Sequence, residues 1–190
     1  MASLSLTFDD GPDPAWTPRL LEVLAGAGAR ATFFSIASRA AAHPALMAQV
    51  LSDGHEVGLH CDEHVRHSTR DAAWGRADTA RALECLRAVG VAPRLWRTPW
   101  GDLAPWTADV AAEYGLRIVG WTVDTHDWRG DTARAMFDAV RPGLQPGAIV
   151  LAHDGVGPGA RRTDARETVG FVTLAARHAA EHELVLASLT

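Results

Sequence analysis

Two cysteines, Cys61 and Cys85, are the only thiols in 190 residues. They are too few for a disulfide framework or a thiolate metal site. Lys and Arg form no block and the formal net charge is -5, which argues against a nucleic-acid partner. No apolar run approaches the length of a membrane span, so no membrane partner is expected. The first strand-like stretch begins almost at Met1 and leaves no room for a signal peptide. The expectation is a cytoplasmic chain, or a secreted one if a signal has been removed. No repeat, low-complexity segment or linker appears, and one domain over residues 1–190 is expected. A single Tyr stands against nine His and seven Trp. That bias matters because His carries metal and proton chemistry and Trp can wall a sugar site.

What is present is a strict alternation of strand and helix, about seven times over. Leu4-Ser5-Leu6 alternates like a half-buried strand and runs into Thr7-Phe8-Asp9-Asp10-Gly11-Pro12, where Gly11 and Pro12 stop it. Thr17-Pro18 reads as an N-cap followed by proline at the first helical position, opening a helix that ends at Gly28. Strands are expected over 31–36, 56–59, 95–97, 118–123, 148–152 and 184–189. Helices are expected over 43–51, 71–89, 104–114, 132–140 and 163–181. Such alternation predicts parallel strands with helices outside. An open doubly wound sheet and a small (β/α) barrel both fit. The first strand–helix loop lacks a Gly-rich phosphate cradle, which lowers the dinucleotide and P-loop options.

Every polar cluster falls at the C-terminal end of an expected strand: Asp9-Asp10, His60 to His64, Arg97-Thr98-Pro99-Trp100, Asp124 to Trp128, and His153-Asp154. In a barrel these ends converge on one face. His60 and His64 lie at i and i+4, a spacing that on a helical turn lets both grip one ion. His178 and His182 share that spacing without an accompanying acidic cluster, and read as a solvated helix face. One carboxylate from Asp9-Asp10 added to His60 and His64 makes a two-His, one-carboxylate set. That set suits catalytic zinc with an open position, and also non-haem Fe(II). Zinc so held lowers the pKa of bound water, and the second Asp is then placed to be its base. Arg97 can hold a carboxylate ionised and oriented. His153 reads either as a rim histidine or as a proton donor that Asp127 would orient. Trp100 and Trp128 can wall a pocket; Trp96 and Trp121, inside strands, read as core. His43, His55, His67 and His126 receive no role.

These five clusters, in this order, resemble the motifs of the polysaccharide deacetylases, carbohydrate esterase family four or NodB-homology proteins. The match runs collinearly from Leu4 to about Asp154. The resemblance implies a distorted (β/α) barrel of about seven strands and a divalent metal, most often zinc, with cobalt or nickel as alternatives. It implies hydrolysis of N-acetyl groups on an amino sugar, with metal-bound water as nucleophile. Removal of O-acetyl groups from xylan, or deacylation of a small cytoplasmic N-acyl amino sugar, is the nearest alternative. A non-haem iron oxygenase and a catalytically silent sugar-binding module are rivals of other classes. Carried over by position, Asp9 resembles the general base and Asp10, His60 and His64 the metal ligands. Arg97 would pair with Asp9, His153 would be the general acid tuned by Asp127, and the Trp100 backbone N–H would meet the oxyanion. Pro99 accompanies Trp100, and Trp128 would line the acetyl pocket. Cys61 stands where the family usually has Ser or Thr, and Trp100 where it usually has Tyr or Phe.

Overall fold

The structure, a computed structural model, describes residues 2–189. Its sheet has eight strands, parallel at every pairing. They are β1 (Ser3–Asp9), β2 (Thr32–Ile36), β3 (Glu56–Cys61), β4 (Leu95–Trp96), β5 (Arg117–Ile118), β6 (Val123–Asp124), β7 (Ile149–His153) and β8 (Val185–Leu186). The helices are α1 (Thr17–Gly26), α2 (Ala37–Ala42), α3 (Pro44–Ser52), α4 (Ala72–Ala88), α5 (Thr107–Glu113), α6 (Ala133–Val140) and α7 (Arg166–Glu181). The spatial order is β5-β4-β3-β2-β1-β7-β6, with β8 against the start of β1. The sheet curls into a distorted barrel whose edges, β5 and β6, do not pair.

β1 sits centrally and is buried on both faces, not half-buried as its alternation suggests. Leu4, Leu6 and Phe8 join the main core with Leu20, Leu24 and Phe171 of the surrounding helices. The polar residues between them, Thr7 and Asp9, face the barrel interior, where Arg97 meets both. The polar phase of the pattern therefore marks the barrel axis and not solvent. Below Arg97 the interior is closed by Phe34, Leu95 and Val119.

The expected strand over 118–123 is two strands on opposite edges of the sheet. Residues 119–122 cross the gap between them. Val119 N–H still bonds to Trp96 O and Thr122 N–H to Ile149 O, both at 2.9 Å. The carbonyls of Val119 and Gly120, which a neighbouring strand would have satisfied, accept instead from Arg97 Nε (3.3 Å) and Nη2 (2.8 Å). One buried guanidinium thus does the pairing a missing strand would do.

Other local expectations change for similar reasons. Thr17 is the first residue of α1 and not its cap; its hydroxyl donates to Asp154 Oδ2 at 2.6 Å, tying α1 to the end of β7. α2 follows β2 without a loop, over residues for which no helix was expected. α7 begins at Arg166, three residues later than expected. His178 is buried against Phe137 rather than solvated, because α7 turns that face onto α6. Trp96 is core, as expected, whereas Trp121 is half-buried, since it lies in the crossing segment and not in a strand.

Candidate active site

The strand ends of β1, β3 and β7 meet at one cavity of about 290 Å³, lined by Asp9, Asp10, His60, His64, Trp100, Trp121, Trp128 and His153. Adjacent strand residues point to opposite faces, so Asp9 and Asp10 should diverge. Asp9 follows the rule and faces the barrel axis, 2.9 Å from Arg97 Nη1. Asp10 has a left-handed backbone, φ 72°, which Asp tolerates better than most residues. That turn brings its carboxylate back over the same cavity. Arg39 of α2 holds the strained peptide, donating to Asp10 O at 2.7 Å and to Val156 O at 3.0 Å.

Asp10 Oδ1 lies 3.4 Å from His60 Nε2 and 3.1 Å from His64 Nε2. The two histidines do not share a helical turn. His60 is in β3; His64 is in the loop beyond it. The chain bends back because the Asp78 carboxylate of α4 accepts from Asp62 N–H (3.2 Å) and Glu63 N–H (2.9 Å). His60 Nδ1 is 2.7 Å from Arg97 O. A carbonyl only accepts, so Nδ1 carries the proton and Nε2 presents its lone pair to Asp10 when the ring is neutral. His64 is set edge-on to Trp100, ring centres 4.2 Å apart.

These donors fit a divalent cation. One ligand atom each from Asp10, His60 and His64 falls within 4.8 Å of the others. Asp10 Oδ1 is buried without a well-formed hydrogen bond, an arrangement that wants a positive partner. Burial opposes ionisation of Asp10, yet the two imidazoles beside it hold its carboxyl well below the usual range. Two nitrogens and one oxygen suit zinc, cobalt or nickel. Cys61 does not join the set; burial pushes its thiol well above its ordinary pKa.

Across the cavity, His153 Nδ1 donates to Asp127 Oδ1 at 2.7 Å, leaving Nε2 without that bond and the ring on the cavity wall. Burial lowers the pKa of His153, but the Asp127 charge and hydrogen bond outweigh it, with Asp10 and Asp9 adding to the rise. The result is about 9. Burial likewise raises Asp127, and His153 and Arg162 bring it below the ordinary value. Trp100 and Trp128 line the cavity as expected, with Trp121 beside them. Trp100 is 41% exposed and has a left-handed backbone, φ 56°. Pro99 is buried and does not line the cavity.

Sequence reasoning missed the supports of this site: Arg39, Asp78, Gly157, Arg162 and Thr168. Only the glycines at 155, 157 and 159 carried a local signal, a loop after a strand end. A Cβ at Gly157 would lie 2.0 Å from Asp10 Oδ2. Gly157→Ala is therefore expected to displace Asp10 and weaken zinc or cobalt binding by about 10-fold or more, on the scale of lost ligand orientation. Calorimetric metal titration checks this, and unchanged affinity would mean that the loop yields instead.

The family model for polysaccharide deacetylases matches residues 2–119. A chitooligosaccharide deacetylase of Sinorhizobium fredii is 41% identical, over 82% of this chain and 74% of its own length. A peptidoglycan-N-acetylglucosamine deacetylase of Bacillus cereus is 33% identical, over 80% of this chain and 56% of its own. Among solved structures, a family 4 carbohydrate esterase from Streptomyces lividans in complex with acetate superposes with a TM-score of 0.87 at 30% identity, covering 97% of this chain and 91% of that one. By sequence and fold, the chain belongs to the polysaccharide deacetylase family.

Proposed function

We propose that this protein is a metal-dependent hydrolase that removes N-acetyl groups from N-acetylglucosamine-type glycans. The observation that carries the reading is the placement of two opposite proton-transfer pairs, Asp9–Arg97 and His153–Asp127, on one cavity with the Asp10–His60–His64 cluster. A divalent cation held by Asp10, His60 and His64 would supply Lewis acidity, polarising the amide carbonyl and making water more acidic. Asp9, kept in place by Arg97, accepts the proton of the attacking water. The Trp100 backbone N–H donates to the oxygen that gains charge. His153 gives its Nε2 proton to the departing amine. Trp128 and Trp121 enclose the acetyl group and exclude water.

An amine leaves only once it is protonated, and His153 keeps its proton up to about pH 9. That favours amide over ester hydrolysis. Both pairs move protons, and neither offers a role to dioxygen, so the hydrolase reading explains more of the site than an oxygenase does. The related deacetylases of chitooligosaccharide and peptidoglycan support the same substrate class.

The test is acetate release by metal-free protein before and after zinc, cobalt or nickel is restored. Substrates run from N-acetylglucosamine through short chitooligosaccharides and peptidoglycan glycan strands to acetylated xylan. Metal-restored release from the N-acetylated oligomers is expected. Release from xylan alone would make the protein an esterase, and release from none would remove the proposal.

The pH profile gives a second prediction. With the His153 pKa raised from 6.5 to about 9, its acid form is present at all lower pH, so the basic limb of kcat/KM should lie at about pH 9. Asp127→Asn removes the charge that raises it and leaves burial, which lowers it. The basic limb should then move down from about 9, with Asp10 and Asp9 alone still opposing burial. A limb that stays near 9 would assign it to another group.

A further inference from the structure

Asp127 makes more contacts than orienting His153 requires. Its Oδ1 accepts from His153 Nδ1 at 2.7 Å. Its Oδ2 accepts the His153 backbone N–H at 3.0 Å and the Thr168 hydroxyl at 2.7 Å, and lies 3.1 Å from Arg162 Nη1. Arg162 Nη1 also donates to the Thr168 hydroxyl. Its Nη2 donates to the carbonyls of His153 (2.9 Å) and Gly155 (2.8 Å). The Arg162 side chain is 6% exposed and that of Asp127 1%. Four separate places in the chain are thus joined: the loop after β6, the end of β7, the loop from 154 to 165, and the first turn of α7.

We propose that Arg162 is a positioning residue for His153, acting through Asp127 with Thr168 as its second anchor. An imidazole held by one hydrogen bond can still swing about its two side-chain torsions. It is fixed only if the carboxylate that receives Nδ1–H is itself fixed. Arg162 and Thr168 pin Oδ2, so Oδ1 has one direction left, towards the ring. The same guanidinium grips the His153 carbonyl, so backbone and carboxylate are set relative to each other by one rigid fork. A buried carboxylate also needs a compensating charge when His153 has given up its proton, and Arg162 supplies it permanently. The consequence for catalysis rests on the proposed role of His153 as acid; the positional consequence does not.

Arg162 also touches the cavity. A guanidinium there that bound substrate directly would show itself in KM. A positioning group shows itself in kcat. Arg162→Gln is expected to lower kcat by about 10- to 100-fold, the range for losing the partner of a functional side chain, with KM within about twofold. Arg162→Lys should recover part of the loss, because an ammonium can meet Asp127 but cannot fork to two carbonyls as well. The independent readout is the downfield proton resonance of His153 Nδ1–H in metal-free protein, assigned by its absence in His153→Ala. It should broaden or move upfield in Arg162→Gln and persist in Arg162→Lys. If Arg162→Gln does not fold, Thr168→Val carries the question, with the same resonance perturbed and kcat reduced several-fold.

An unchanged resonance with unchanged kcat would overturn the proposal, and so would a loss confined to KM. If the wild type releases no acetate from any substrate, the deacetylase reading fails, while the resonance still decides whether Arg162 positions His153.

Discussion

Asp9→Asn is expected to lower kcat by about 10³-fold while zinc affinity stays within about twofold. Asn has the shape of Asp and can still accept from Arg97, but it cannot take up a proton. General-base catalysis of this kind is worth about 10²- to 10⁴-fold. Metal binding should survive because the ligand set uses Asp10, His60 and His64, and Asp9 is paired with Arg97 at 2.9 Å. Removing one partner of a buried ion pair normally costs about 3–5 kcal/mol. Here the loss should be smaller, because Arg97 keeps the Thr7 hydroxyl (2.7 Å) and the carbonyls of Val119 and Gly120. Initial rates of acetate release, metal titration and a melting curve on one preparation separate these effects. Activity within tenfold of wild type would remove Asp9 as the base. Lost metal with lost activity would make it a ligand instead.

His64→Ala is expected to weaken zinc binding by more than about 100-fold, the upper end of what losing a merely supporting group costs. Activity should fall with it. His64 is the cleaner of the two histidines to test. His60 is 2% exposed inside β3, and its Nδ1–H satisfies the Arg97 carbonyl. Truncating His60 would therefore leave a void in the barrel and an orphaned acceptor next to Arg97, mixing folding with binding. His64 lies in a loop and leans on Trp100, so its removal disturbs little besides the cluster. The readouts are bound metal after dialysis and the melting temperature of the metal-free form. Undiminished metal with a normal fold would sink the ligand assignment; a collapsed metal-free form would point to a structural role.

The chemical inventory of this enzyme family member is legible in the chain because it is local. Each candidate residue stands at or just beyond the end of a strand-like run, and each ending is marked by Gly, Pro or a change of periodicity within a few residues. That was enough to place Asp9, Asp10, His60, His64, Arg97, Asp127 and His153 on one face of a parallel barrel. The residues that hold them were illegible for the opposite reason. Arg39 meets Asp10 and Val156, Asp78 meets Asp62 and Glu63, and Thr168 meets Asp127, across separations of 15 to 117 residues. No periodicity or spacing encodes such meetings. The stretch over 118–123 shows the same limit: its apolar, β-branched run is a sound strand signal, yet the sheet ends on either side of it. Whether a strand finds neighbours depends on the curvature of the whole sheet.

Strand endings alone place two adjacent carboxylates, two histidines four residues apart and a histidine after an apolar strand on one face. Where each carboxylate goes was settled only by folding. Strand geometry sends neighbours to opposite faces. It took the left-handed turn at Asp10, held by Arg39 and roofed by Gly157, to bring that carboxylate back to His60 and His64. It took a gap in the sheet, filled by Arg97, to keep Asp9 facing the barrel axis. Backbone conformation at one residue and closure of a barrel are settled by contacts from distant segments, and those contacts exist only once the chain has folded.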